Sequence, residues 1–364
     1  MVENVAQQER PALFGISGKS NRDVGRRKHW GKNEFNSSFP TALLCYMNSR
    51  NINPIYLKMG GDHEIFQDTI SVTELFGIEP TSPNAYFSFE DAYVPLQRFV
   101  QGQLPRADLV TMDKSTPETP WKRGLEIKLT ALPDNTTYNL SEDKYSCEMV
   151  FRPTAIVHLA LSISDLFSNR RTELLSLLAP ICSTTFNWRD KNEMFQRNES
   201  FIQILRSVLL LGVDNQEPFV IQPIWKTKGK KAVLADNCLD VFVWANLAFA
   251  KMLIDQVEEG ASRRAMSRTI RCIIWLVRML YDFGHTGLIN PSLITSEMAY
   301  ELQTDKAFSV NGLSSWRYLH GPALTEPRIN KNDIRNIILG GGQNLLSPER
   351  RFDAIIVNTP ELFD

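Results

Sequence analysis

Between residues 107 and 130 apolar and polar positions alternate. In Gly124-Leu-Glu-Ile-Lys-Leu129, Leu125, Ile127 and Leu129 interleave with Glu126 and Lys128. That is the two-residue period of a strand, whose side chains point to opposite faces by turns. Ala107–Met112 has the same character, and Gly124–Thr130 makes a second strand. A third is expected within Tyr138–Val150, after the turn-like Leu132-Pro-Asp-Asn135. Helical spacing takes over on either side. Pro153 opens a helix over Thr154–Phe167, with Ile156, Leu159, Ala160 and Ile163 on one face. Phe87–Gly102 reads as a helix despite Pro95, so the expected order is helix, strand, strand, strand, helix.

Around this unit, Ser37 or Ser38 suits the cap, and Pro40 the first turn, of a short helix over Phe39–Ser49. Asn53–Lys58 has strand character. Helices are expected at Arg171–Leu178 and Asn198–Leu211. Phe219–Trp225 and Lys231–Leu234 flank a Lys-Gly turn as a hairpin. Two long helices follow, at about 238–258 and 262–282. From Gly284 the chain is loop-rich, with short elements at Asp333–Leu339 and Ala354–Val357. There is no internal repeat, low-complexity segment or clear linker.

Composition narrows the field only a little. The 364 residues are 43% hydrophobic and 22% charged, enough for a core that needs no disulfide or metal staple. Lys+Arg total 40 against Asp+Glu 41, so only local clusters could attract a polyanion. Cys45, Cys147, Cys182, Cys238 and Cys272 are scattered and form no CxxC, as expected of reduced thiols in a cytosolic protein. The polar N-terminus is not a secretory signal, and no apolar run is long enough to span a bilayer.

The chemistry lies in the alternating strands. Glu126 and Lys128 share a face, and Asp108 stands eighteen residues upstream, at the start of the preceding strand. If those strands pair, both carboxylates reach one point. Hard oxygen donors of this kind suit Mg2+ beside a phosphate, and a lysine there can serve the attacking water. Glu90 or Asp91 could complete a second metal position, with Asp134 and Glu148 as weaker candidates. Alone, an ExK pair is more often a solvated sheet surface worth little. Asp108 one strand earlier and the flanking helices change that balance.

The arrangement resembles the PD-(D/E)xK nuclease core, with Asp108, Glu126 and Lys128 in its motif positions and Ala107 where that name has proline. A closer resemblance spans Phe14-Gly-Ile, Ser20-Asn-Arg-Asp23, Trp30-Gly-Lys-Asn-Glu-Phe-Asn-Ser-Ser-Phe-Pro40, and the stretch from Ala107 to Asp134. These are similar to HindVP/HgiDI-type restriction endonucleases. The resemblance implies an α/β fold: a mixed sheet flanked by helices, with a largely helical C-terminal elaboration. It implies a Mg2+-dependent type II enzyme that cuts double-stranded DNA at a short palindrome, GRCGYC or a related site. It also implies a homodimer, a cognate DNA methyltransferase as genetic partner, and a prokaryotic cytoplasm.

On that reading residues 1–84 form an N-terminal arm and DNA-contacting region, and 85–225 the nuclease core. Residues 226–364 form a mainly helical DNA-binding and dimerisation region, unless all three are one continuous domain. Lys19, Arg22, Arg26, Arg27, Lys28 and Lys32, with His29 and Trp30, are candidates for DNA contact. So are Lys228 and Lys230 in the hairpin turn, which equally suit protection of a sheet edge. Arg264, Arg268, Arg271 and Arg278 read first as a solvated helix surface and only second as a phosphate-facing one.

Two rivals stand beside the endonuclease: a DNA-binding protein without catalysis, and a structure-selective repair nuclease on the same core. Other chemistries find no support. Gly15-Ile-Ser-Gly-Lys-Ser20 lacks the first glycine of a Walker A loop, where Leu13 stands. The five histidines form no zinc-like spacing, and His158 reads as a satisfied core or rim residue. No GxSxG elbow is present.

Overall fold

The computed structural model describes residues 32–128, 130–132, 148–227, 234–259, 266–300, 308–311 and 326–340. Its strands are β1 (Ile55–Met59), β2 (Ile65–Thr69), β3 (Ala85–Asp91), β4 (Ala107–Asp113), β5 (Trp121–Ile127), β6 (Thr130–Leu132), β7 (Glu148–Phe151), β8 (Pro218–Thr227), β9 (Leu234–Ala245), β10 (Phe308–Asn311) and β11 (Ile329–Asn330). Nine of them form one sheet in the order β2-β1-β9-β8-β5-β4-β3, with β6 beside β8 and β11 beside β9; β7 and β10 pair separately. The sheet is mixed: β5 runs parallel to β8 and β1 parallel to β9, while β4 runs antiparallel to both β3 and β5. The helices are α1 (Lys32–Ser49), α2 (Val72–Phe76), α3 (Pro153–Leu166), α4 (Arg171–Cys182), α5 (Lys191–Gln196), α6 (Asn198–Leu211), α7 (Asn246–Glu259), α8 (Arg268–Thr286), α9 (Pro291–Ser296) and α10 (Lys331–Gly340). The expected α/β class, a mixed sheet flanked by helices, is present.

Register assigns the two faces of the sheet. Val220 of β8 lies beside Glu126 and Ile221 beside Ile127, so Trp225, in phase with Ile221, shares the Ile127 face. There Phe39 of α1 packs against Trp225, ring centroids 5.2 Å apart. On the opposite face α3 brings His158 to Glu126. Helix α8 packs against α3, α4, α6 and α7. Its residues from Ile270 to Val277 are all buried, Arg271 among them.

Several expected elements are corrected. The segment 87–102 is not a helix: β3 occupies Ala85–Asp91 and a short 3-10 helix Val94–Phe99, with Pro95 in its first turn. Phe87 and Phe89 alternate with Ser88 and Glu90, and that strand period prevails. The expected helix at 238–258 is β9 up to Ala245, then α7. Every residue from Cys238 to Ala245 is buried, and the continuous apolar run 241–245 carries no periodicity to separate strand from helix. Pro40 lies inside α1 rather than in its first turn, and Ser38 is buried in that helix rather than capping it. The strand at Gly124–Thr130 ends at Ile127, and β6 begins at Thr130.

Two arginines of the α8 stripe do not form a solvated surface. Arg271 is fully buried, its guanidinium over Trp275, and it donates to the Ala299 carbonyl. Arg278 pairs with Asp282 at 2.9 Å and lies over Trp188. Arg268 is exposed, and Arg264 lies outside the described residues. The thiols of Cys182, Cys238 and Cys272 are unbridged and buried, and burial pushes Cys182 and Cys238 up to about 12. Among the described residues no helix is long and apolar enough to cross a membrane.

Candidate active site

Three neighbouring strands bring three carboxylates into one row. The β4–β5 register pairs Leu109 with Leu125 and Val110 with Gly124; extended by one residue, it sets Glu126 opposite Asp108. The β3–β4 register pairs Phe89 with Leu109 and Asp91 with Ala107 but skips the pair between them. That skipped position is Glu90 opposite Asp108. Glu90 has φ 52, the left-handed region that costs a non-glycine residue roughly 1 kcal/mol or more. The strands on both sides of Asp108 therefore part from it.

Asp108 uses the opening on the β5 side. Its Oδ2 accepts the Ile127 N–H at 2.7 Å, a backbone donor that a continued ladder would have engaged. The same oxygen accepts from Lys128 Nζ at 3.1 Å, and Lys128 Nζ also donates to Glu126 Oε2 at 2.7 Å. One ammonium thus bridges two carboxylates on adjacent strands. The Lys128 side chain is 12% exposed and that of Glu126 6%, so this is not a solvated surface pair.

Glu126 has a third partner. Its Oε1 lies 2.7 Å from Nδ1 of His158, whose Nε2 lies 3.0 Å from the Pro105 carbonyl. A carbonyl only accepts, so Nε2 carries a proton. A proton also lies between Nδ1 and the carboxylate, which makes an imidazolium–carboxylate pair whenever Glu126 is ionised. Burial alone would push Glu126 up, but Lys128 and the His158 hydrogen bond outweigh it and hold the carboxyl at about 2. His158 is raised: burial opposes its charge, while Glu126 and the Pro105 carbonyl favour it more strongly. Lys128 is raised against burial by the charges of Glu126 and Asp108. Asp108 is raised by burial and by the charge of Glu126, with Lys128 opposing. Glu90 is raised by desolvation, then by Asp108 and Glu126, with Arg152 and Lys128 opposing.

Asp108, Glu126 and Lys128 are thus in direct contact, and Glu90 adjoins them on β3 rather than on a preceding helix. Asp91 is turned away into local bonds, accepting from Ser88 Oγ at 2.6 Å and the Ala92 N–H at 2.8 Å. Glu148 begins β7, and Asp134 lies outside the described residues. Of the expected DNA contacts, Lys32 is the first residue of α1. Lys19, Arg22, Arg26, Arg27, Lys28, Lys228 and Lys230 lie outside the described residues, as do His29 and Trp30. Sequence reasoning did not connect His158 with the site, because its partners lie on other elements, 32 and 53 residues away. It also passed over Arg152, an exposed arginine at the start of α3 whose charge acts on Glu90.

The donor set suits a hard divalent cation. Asp108 and Glu126 supply carboxylate oxygens on adjacent strands, and every hydrogen bond described for Asp108 falls on Oδ2. Among the described residues no three His, Cys, Asp or Glu side chains form a ready metal shell.

A family model described as HindVP restriction endonuclease matches residues 30–363. The chain is similar to the type II restriction enzyme HgiDI of Herpetosiphon aurantiacus, 40% identical over 358 residues, 98% of each chain. It is also similar to the probable type II restriction enzyme HindVP of Haemophilus influenzae, 36% identical over 354 residues, 97% of this chain and 95% of that relative. No solved structure matches.

Proposed function

The chain belongs to the HindVP restriction endonuclease family, and from that membership we propose that it is a Mg2+-dependent type II endonuclease whose reactive groups are Asp108, Glu126 and Lys128. The observation that carries the assignment is the single ammonium of Lys128, 3.1 Å from Asp108 and 2.7 Å from Glu126. Two acids and one base converge there on a point shared by two strands.

Asp108 and Glu126 would hold the cation, with Glu90 beside them as a further carboxylate. Bound magnesium supplies positive charge against that building on the phosphate and makes water more acidic. Lys128 enters protonated, because both acids raise its pKa. It therefore orients water by donating a hydrogen bond and places positive charge near the reacting phosphate. The Ile127 N–H fixes one oxygen of Asp108, so that acid is preorganised before DNA arrives.

The substrate is double-stranded DNA at a short palindrome, GRCGYC or a relative of it. A palindrome read by two-fold symmetry calls for a homodimer with two such sites. Phosphate contacts are assigned to Lys19, Arg22, Arg26, Arg27, Lys28, Lys32, Lys228 and Lys230. The enzyme works in a prokaryotic cytoplasm whose own DNA is protected by a cognate methyltransferase. Digestion of a known plasmid with Mg2+ and with chelator, followed by sequencing of the ends, tests this. Discrete fragments that appear only with metal and share one palindrome are expected. Intact plasmid in Mg2+ would point to a non-catalytic binder, and cutting only at branched or damaged DNA to a repair nuclease.

A further inference from the structure

Glu126 is not held by its strand alone. The His158 ring spans two acceptors, Glu126 Oε1 at 2.7 Å and the Pro105 carbonyl at 3.0 Å. Pro105 lies three residues before Asp108 on the run into β4. The ring therefore ties the approach to one acid's strand to the carboxylate of the other.

We propose that His158 is a positioning residue for the cleavage reaction: it pins Oε1 of Glu126 and thereby aims Oε2 at Lys128 and the cation. The proposal rests on the reading of Asp108, Glu126 and Lys128 as the reactive set. Three features support it. The ring is only 6% exposed, so water does not compete for Oε1. Both ring nitrogens are engaged, so a ring flip would break two bonds together. The helix that carries it is immobilised, with Val157, Leu159 and Ala160 at 3% exposure or less. A glutamate pays rotamer entropy when it is ordered, and a partner that orders it beforehand removes that cost from cation binding. Groups that orient metal ligands in this way are typically worth about 10–100-fold in metal affinity.

The test uses the full chain with His158→Leu, His158→Asn and His158→Gln. It measures Mn2+ binding without DNA by electron paramagnetic resonance, DNA affinity in chelator, and cleavage against Mg2+ concentration. His158→Leu is expected to bind Mn2+ about 10–100-fold more weakly and to need correspondingly more Mg2+, with DNA affinity unchanged. His158→Asn keeps a donor near the Nδ1 position and recovers part of the loss. His158→Gln places its donor near Nε2 instead and recovers less. Wild-type Mn2+ affinity in folded His158→Leu overturns the proposal. If His158→Leu does not fold, wild-type affinity in His158→Gln, or equal losses in the Asn and Gln variants, overturns it instead. Glu126→Gln separates the two levels. If it keeps wild-type Mn2+ affinity, the site reading itself fails; if it loses affinity while the leucine variant does not, only the role of His158 fails.

Discussion

Glu126 and Asp240 are buried carboxylates of one sheet, separated by the single strand β8, yet their surroundings differ. Asp240 faces the Arg328 guanidinium side-on: Oδ1 accepts Nη2 and Oδ2 accepts Nε, both at 2.7 Å. Oδ1 also accepts the Val241 N–H at 2.7 Å. One acid meets one matched fork, which closes the site and ties β9 to the segment carrying β11 and α10. Around Glu126, two acids share one lysine, the strand ladders part, and a neighbouring glutamate sits in a left-handed conformation. A completed ion pair leaves nothing for a ligand to bind. Beside Glu126, Asp108 and Glu90 have raised pKa values and Glu90 has a left-handed backbone, features expected where chemistry is done.

The contrast can be broken most directly at the site. Glu126→Gln and Lys128→Ala should each lower single-turnover cleavage by about 1,000-fold or more while leaving DNA affinity in chelator intact. More than a tenth of wild-type cleavage in either would mean that the cluster is as closed as the Asp240 pair. Arg328→Met should do the opposite. It leaves Asp240 charged and buried, lowering unfolding free energy by about 3 kcal/mol in urea titrations, with cleavage per folded molecule unchanged. A slower reaction without lost stability would blur the distinction. Gly124→Ala lies between these extremes. A Cβ there would stand 2.7 Å from Tyr93, so a loss of roughly 1–3 kcal/mol is expected, partly recovered when Tyr93 is also cut to alanine. The smallest effect is expected at Glu90. Glu90→Gly removes the left-handed penalty and should stabilise the fold by about 1 kcal/mol while cleavage falls. Destabilisation would show that Glu90 is held by ordinary structural contacts.

Alternation with an acid in phase was enough to find β4, β5 and the group Asp108, Glu126 and Lys128, because strand geometry dictates which side chains share a face. Helix α6 at Asn198–Leu211 and strand β8 were likewise readable from local pattern. Three features were not readable from local pattern. Apolar runs buried on both sides, such as residues 241–245, carry no period. The 85–91 stretch holds aromatic alternation that a following proline-led turn masked. His158 shows its role only through long-range partners, and no spacing within α3 discloses them. The buried Arg271 misled for a related reason: charge is read as solvent-facing until packing around α8 shows otherwise.

The parallel pairing of β5 with β8 has a consequence in time. The residues proposed to react are complete in the nascent chain once Lys128 is made, but the strand that flanks β5 ends at Thr227. At ~5–20 residues per second that interval is roughly 5–20 s, and β9 must still follow to back β8. A half-made chain thus carries every group proposed to react but lacks the strand that flanks β5 on its other side. If those residues are the reactive set, the nascent enzyme is expected to stay inactive until most of it has left the ribosome.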